Sequence, residues 1–183
     1  MRRIVLTGAP PVQILDIAGP LEVFAGIADY EVVIATPEDA SVLRTSHGFP
    51  LGGVTSLRDL TGPIDTLLVV GGPASENGVY DGEFVRWIAD TSGRVRRVGS
   101  ICTGAILLAA AGVLDGRQAA THWAFCDQLG REFPAVTVKR DPIYIRDGNV
   151  YTSAGIPRGS IWRLLWSKKI MGIKRRLRSR GCW

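Results

Sequence analysis

Residues Arg97-Val98-Gly99-Ser100-Ile101-Cys102-Thr103-Gly104-Ala105-Ile106-Leu107-Leu108 constrain this 183-residue chain more than any other stretch. A short apolar run passes straight into a cysteine, a small polar residue, a glycine and a second apolar run. That order predicts a strand, a sharp turn and a helix, with Cys102 on the turn. A side chain so placed stands out from the end of a sheet, and the first backbone N–H groups of the helix point at it. Unpaired helix N-terminal donors and the positive end of the helix dipole favour a thiolate over a thiol. Cys102 is therefore a candidate nucleophile or redox sensor. The other reading of the same spacing is a small, inert core hydrophobe.

Three more short runs rich in Val, Ile or Leu, at residues 3–6, 30–35 and 65–71, join residues 96–101 as predicted strands. Such near-continuous apolar runs suit strands buried on both faces of a parallel sheet. Helical stretches fall between and after them, at residues 19–27, 82–90, 103–111 and 121–131. The first opens at Gly19-Pro20, which puts proline near the first helical position, where its missing N–H costs nothing. Residues 135–139, 142–145 and 150–152 read as late strands, the last two joined by the hairpin-type turn Asp147-Gly148-Asn149. The alternation predicts an α/β fold, a flavodoxin-like doubly wound sandwich around a mostly parallel sheet, with a cysteine elbow. Ligands in such folds sit at the carboxyl ends of the strands. The loop after the first strand, Gly71-Gly72-Pro73 and the Cys102 turn would all meet there.

Several function classes drop out. Cys102, Cys126 and Cys182 are odd in number and far apart, so they form neither a disulfide framework nor a metal-ligand cluster. With only His47 and His122 besides, no metal site is expected. Gly8-Ala9-Pro10-Pro11-Val12-Gln13 lacks the Gly-Lys-Ser/Thr ending of a phosphate loop, and no G-x-G-x-x-G follows a strand, so no nucleotide or other cofactor is expected. No apolar run reaches the ~18 residues of a membrane span. Residues 1–8 hold too short an apolar run for a signal peptide, and a cytoplasmic chain with no membrane contact is expected.

Asp16 lies within the apolar stretch Val12-Gln13-Ile14-Leu15-Asp16-Ile17-Ala18-Gly19-Pro20. Burying that carboxylate is costly unless it is hydrogen-bonded or protonated. It is a candidate partner of the cysteine sulfur, or else a helix cap. Gly71 and Gly72 allow backbone N–H groups to approach a ligand and, with the Thr103 N–H, to build an oxyanion hole; an ordinary strand-to-loop turn is the alternative. His122, in Thr121-His122-Trp123, can reach the same edge and form a Cys–His dyad, or serve structure beside the tryptophan. His47 is expected on the surface. The candidate catalytic set is Cys102, Asp16, Thr103 and His122, and the ligand-binding set is Gly71, Gly72, Cys102 and Thr103.

Five motifs in order carry a resemblance: Asp16-Ile17-Ala18-Gly19-Pro20-Leu21-Glu22-Val23-Phe24, Val69-Val70-Gly71-Gly72-Pro73, Ser100-Ile101-Cys102-Thr103-Gly104-Ala105, Thr121-His122-Trp123 and Asp147 through Gly155. From residue 2 to about 155 the chain resembles the ThiJ/PfpI superfamily, with its class I glutamine amidotransferase-like fold. The branch it most resembles is the N-terminal domain of AraC-type transcription regulators, with Pro10-Pro11-Val12-Gln13 ahead of the Asp-x-x-Gly-Pro motif. That resemblance implies a domain that senses a small-molecule ligand, acts as a homodimer and contacts DNA only through a separate C-terminal helix-turn-helix domain. Isonitrile hydratases are similar at Asp16, Cys102 and Thr103, which implies the alternative of a cysteine-dependent enzyme. PfpI-type peptidases place histidine where Thr103 stands, and amidotransferases need a late His-x-Glu pair that this chain lacks, so neither activity is expected.

Residues 156–183 read differently from residues 1–155. They hold nine Lys/Arg, no Asp or Glu and three of the five tryptophans, leaving 13 basic and 17 acidic residues in the rest. After Gly155 the resembled family continues with a helix of the type Ile-Thr-Ala-Gly-Ile-Asp-Leu-Ala-Leu. Suitable codons for Gly159 to Gly172, read in a shifted frame, give Ile-Asp-Leu-Ala-Val-Ala-Leu-Val-Glu-Glu-Asp-His-Gly. The expectation is a ThiJ/PfpI-like domain over residues 1–155. Beyond it comes a basic, disordered tail that replaces the DNA-binding half after a one-base deletion near Ile156. A basic tail with interleaved Trp, Leu and Ile can also bind a membrane surface or nucleic acid. Loss of the family helix would leave an apolar sheet face uncovered and the product poorly stable.

Overall fold

The computed structural model describes residues 1–155, and the expectations for residues 156–183 lie outside the described residues. In chain order the first elements are β1 (Arg2–Thr7), α1 (Ile14–Ala25), β2 (Tyr30–Thr36), β3 (Val42–Leu43), β4 (Leu51–Gly52), β5 (Thr55–Ser56) and β6 (Thr66–Val69). Then come α2 (Pro73–Glu76), α3 (Gly82–Ser92), β7 (Arg97–Ile101), α4 (Gly104–Ala110), β8 (Gln118–Ala119), a 3-10 turn (Trp123–Phe125), α5 (Cys126–Glu132), β9 (Thr137–Val138), β10 (Tyr144–Asp147) and β11 (Val150–Ser153).

Seven strands form one sheet in the order β10-β11-β7-β6-β1-β2-β5, parallel except for the β10–β11 hairpin. The five strands β2-β1-β6-β7-β11 reproduce the flavodoxin-like order, and the winding reverses between β1 and β6. Side chains alternate along these strands. Val5, Leu67, Val69, Val98 and Val150 enter a core beneath α3, α4 and α5, while Ile4, Leu6, Leu68, Val70 and Ile101 pack with Ile17 and Phe24 of α1. Burial on both faces is what made these strands readable as unbroken apolar runs. Residues Gly104 to Ala109 of α4 are all buried, as befits a helix apolar all round.

Three elements depart from expectation. α1 begins at Ile14 rather than near residue 19, so Pro20 lies inside it. The start is set by a contact distant in sequence: the Gln13 N–H donates to Gly71 O at 2.9 Å, and the Asp16 N–H then donates to Gln13 O at 3.0 Å. The helix expected over residues 121–131 is split, because His122 Nδ1 caps the 3-10 turn by accepting from the Ala124 N–H at 3.4 Å. The strand expected over residues 135–139 shrinks to β9, which pairs with β8 outside the main sheet. Among the described residues no helix is long and apolar enough to cross a membrane.

Candidate functional site

At the winding reversal, three loops converge at the carboxyl ends of β1, β6 and β7. Their contacts are too close for side chains. A Cβ on Gly71 would lie 2.3 Å from Thr103 Oγ1 and 2.6 Å from Thr103 N, and one on Gly72 would lie 2.4 Å from Pro11 O. Glycine here serves close approach of backbone to backbone.

Cys102 lies on the turn between β7 and α4, with φ of 55°. A non-glycine residue in the left-handed region costs roughly 1–2 kcal/mol and persists only where its surroundings hold it. Here the Cys102 N–H donates to Ser153 O at 3.0 Å, and the Thr121 hydroxyl donates to Cys102 O at 3.0 Å. Gly155, at φ of 87°, lies against the cysteine, so that a Cβ there would be 3.2 Å from Sγ.

Asp16, in the first turn of α1, is 2% exposed. Burial pushes its carboxyl up to about 7, against the pull of hydrogen bonds from the Gly71 N–H and the Cys102 thiol; the Glu76 charge adds a further upward push. Its Oδ2 is buried without a hydrogen-bond partner. Burial likewise pushes the Cys102 thiol up to about 12, with the Asp16 charge next in importance. The Thr103 N–H and hydroxyl both bond to the sulfur and pull the other way, but they lose. The expectation that helix N-terminal donors leave a thiolate is therefore corrected. Desolvation and an adjacent carboxyl outweigh one amide and one hydroxyl. Sulfur and carboxyl form a coupled pair that keeps a proton between them.

Of the two glycine donors expected in an oxyanion hole, the Gly72 N–H is used inside the protein. The Gly72 N–H is shared between Thr103 Oγ1 at 3.1 Å and Ser75 Oγ at 3.2 Å. Ser75 gives its own proton to Gly72 O at 2.7 Å, which frees the Thr103 hydroxyl proton for Ser75 Oγ or the sulfur. His122 is half-buried and tilted against Trp123 and Phe125; it makes no hydrogen bond to Cys102. His47 is exposed, as expected. Ser75, bonded to Thr103 Oγ1 at 3.0 Å, and the next residue, Glu76, are neighbours of the candidate site that sequence reasoning missed. The signal was Pro73 directly after two glycines, a helix start that places both in the first turn of α2.

Among known sequences, the model of the DJ-1/PfpI family matches residues 2–167. The chain belongs to the DJ-1/PfpI family. An isonitrile hydratase from Pseudomonas putida is 34% identical over 164 residues, 90% of this chain and 70% of that protein. The HTH-type transcriptional regulator CdhR of Pseudomonas aeruginosa is 36% identical over 117 residues, 64% of this chain but 34% of the regulator. Among solved structures, a THiJ/PfpI family protein from Pseudomonas syringae superposes with a TM-score of 0.80 at 24% identity, covering 92% of this chain and 69% of that one. The relatives divide between a transcription regulator, of which this chain matches a part, and an enzyme.

Proposed function

We propose that the chain is the ligand-sensing domain of an AraC-type transcription regulator, acting as a homodimer in the cytoplasm. It binds a small molecule at Asp16, Cys102 and the loops beside them without turning it over. The observation that carries this reading is the state of the thiol. Burial and the Asp16 carboxyl push the thiol up, and neither His122 nor His47 hydrogen-bonds to it, so no histidine base is paired with the sulfur. The similarity to part of CdhR supports the same assignment. Incubation of the full chain with isonitriles, amides and glyoxals is expected to give no turnover, while a thiol reagent labels Cys102 stoichiometrically. Turnover abolished by Cys102→Ser overturns the reading. In this proposal DNA contact belongs to a separate helix-turn-helix domain, and a one-base deletion near Ile156 accounts for the basic, tryptophan-rich composition of residues 156–183. The DNA following codon 183 tests it, since a helix-turn-helix in the shifted frame supports the deletion and its absence removes it.

The second reading, an enzyme of isonitrile hydratase type, is favoured by Asp16, Cys102 and Thr103 meeting at one point and by the 34% identity to that enzyme. There Sγ would bond to the isonitrile carbon while the thiol proton passes through Asp16 to the same carbon, giving a thioimidate. Water would then add, and the thiol would leave with the formamide product. The Thr103 N–H would hold charge on the sulfur.

A further inference from the structure

A groove opens at the end of the sheet opposite Cys102, between the second half of α3 and the loop that leads from β5 into β6. It holds about 340 Å³, within the range of small-molecule sites. Leu60, Pro63, Ile64, Trp87 and Val95 form its apolar walls. Leu60, Ile64 and Trp87 pack on the core beneath α3 yet stay half-buried, so the groove keeps apolar surface that the fold leaves uncovered. Phe84, 3% exposed, stacks on the Trp87 indole with centroids 6.5 Å apart and planes 20° from parallel. That contact with the core fixes the aromatic wall.

Arg94 is the one charged residue that lines the groove, and no Asp or Glu does. Its Nε donates to Asp90 O at 3.1 Å, one helical turn back, which holds the guanidinium in place. Neither Nη1 nor Nη2 has a hydrogen-bond partner among the described residues, and none of the seven ion pairs there includes Arg94. A guanidinium pinned at Nε keeps the two parallel N–H donors of its far edge, the fork that matches a carboxylate. Apolar walls around one unanswered cation are complementary to an anion that carries an apolar body.

We infer that this groove is a second ligand site, separate from the Cys102 turn, for a small organic acid. The carboxylate sits on Arg94, and an apolar body about the size of an aromatic ring lies against Trp87, Leu60 and Ile64. The walls supply most of the affinity, because apolar surface leaves water there. The charge pair is exposed and adds a smaller, salt-sensitive preference for the acid.

The test is a titration of the full chain with hydrocinnamate, its neutral amide and propanoate, followed by backbone amide NMR. Hydrocinnamate is expected to shift amides within residues 60–64 and 87–95 and to leave those of residues 102–103 in place. It should bind about fivefold more tightly than the amide at low salt, as an exposed ion pair implies. That margin should largely vanish at about 1 M salt. Propanoate, which lacks the ring, should bind about tenfold more weakly or less. Arg94→Gln alters an exposed side chain, and it should lower hydrocinnamate to the affinity of the amide while leaving the amide unchanged. Equal affinity for acid and amide overturns the inference, as does the absence of shifts with all three probes. Shifts centred on residues 71–76 and 102–103 assign the acid to the other site and overturn it too. Broadening of the groove amides with protein concentration alone gives the groove to a second copy of the chain, with the same result. None of these outcomes touches the sensor reading of the Cys102 turn, whose own failure is turnover that depends on Cys102.

Discussion

At the scale of single residues the site is held by two hydrogen-bonded pairs with opposite tendencies. Asp16 is destabilised by its own ionisation. Its carboxyl binds a proton more tightly in the folded chain than in the unfolded one, so stability falls as pH rises from about 4 to about 7. A shift from 3.8 to about 7 corresponds to as much as about 4 kcal/mol across that window. Asp16→Asn removes the ionisation, and its urea midpoint relative to wild type should rise between pH 4 and pH 8; an unchanged difference would show that Asp16 ionises freely. Thr103 works the other way, because it accepts from the Gly72 N–H and bonds the sulfur. Thr103→Val keeps the shape but loses these bonds, at a cost of about 1–3 kcal/mol. Cys102 alkylation should also slow, since a donor to sulfur has gone. Cys102 and Asp16 were legible as candidate site residues because each broke a local pattern, a thiol at a turn and a carboxylate in an apolar run. The use of the Gly72 donor was not legible, because it depends on Thr103 arriving from another segment and Ser75 turning back onto it.

At the scale of elements, the parallel strands were readable because burial on both faces leaves an unbroken apolar run. Helix starts were less so. The beginning of α1 depends on Gln13 bonding Gly71 across the sheet, and a proline inside the helix argued for a later start. The β3, β4 and β5 strands are two residues each, too short for any period to appear. Glycines within helices divide in the same way between local and tertiary causes. A Cβ on Gly104, at the start of α4, would lie 2.2 Å from Val69 O and 2.8 Å from Val69 C, both backbone atoms that cannot turn aside. On Gly130, inside α5, the nearest contact is Val138 Cγ2 at 3.7 Å, and no positive φ is involved. Gly104→Ala is therefore expected to cost about 2 kcal/mol or more by forcing α4 off β6. Gly130→Ala should stabilise by about 0.5–1 kcal/mol, the usual gain of alanine over glycine in a helix. Urea midpoints of the two variants check both, and equal effects would mean that α4 is free to shift.

At the scale of the whole molecule, two aspartates at opposite edges of the sheet set the pH dependence of folding. Asp65, just ahead of β6, is pushed up by burial, but hydrogen bonds from Arg96 and Thr66 and the charges of Arg96 and Arg2 outweigh that and hold it below its ordinary value. Its contacts are close, with Arg96 Nη2 at 2.6 Å and Thr66 Oγ1 at 2.8 Å. Such a group stabilises the fold above its unfolded pKa, and that contribution is lost as pH falls through its lower folded value. Asp16 acts in the reverse sense and weakens the fold as pH climbs towards 7. Above pH 9 the raised thiol of Cys102 adds a further loss, because the unfolded thiol ionises first. The three together place the stability maximum on the acid side of neutrality, between the range where Asp65 protonates and the range where Asp16 ionises. Urea unfolding of the full chain from pH 3 to pH 10 should peak near about pH 4–5, and Asp16→Asn should move the peak towards neutral pH. A wild-type maximum at pH 7 or above would mean that the carboxyl beside Cys102 is not held in its protonated form, and the account of the thiol given by the site would fall with it.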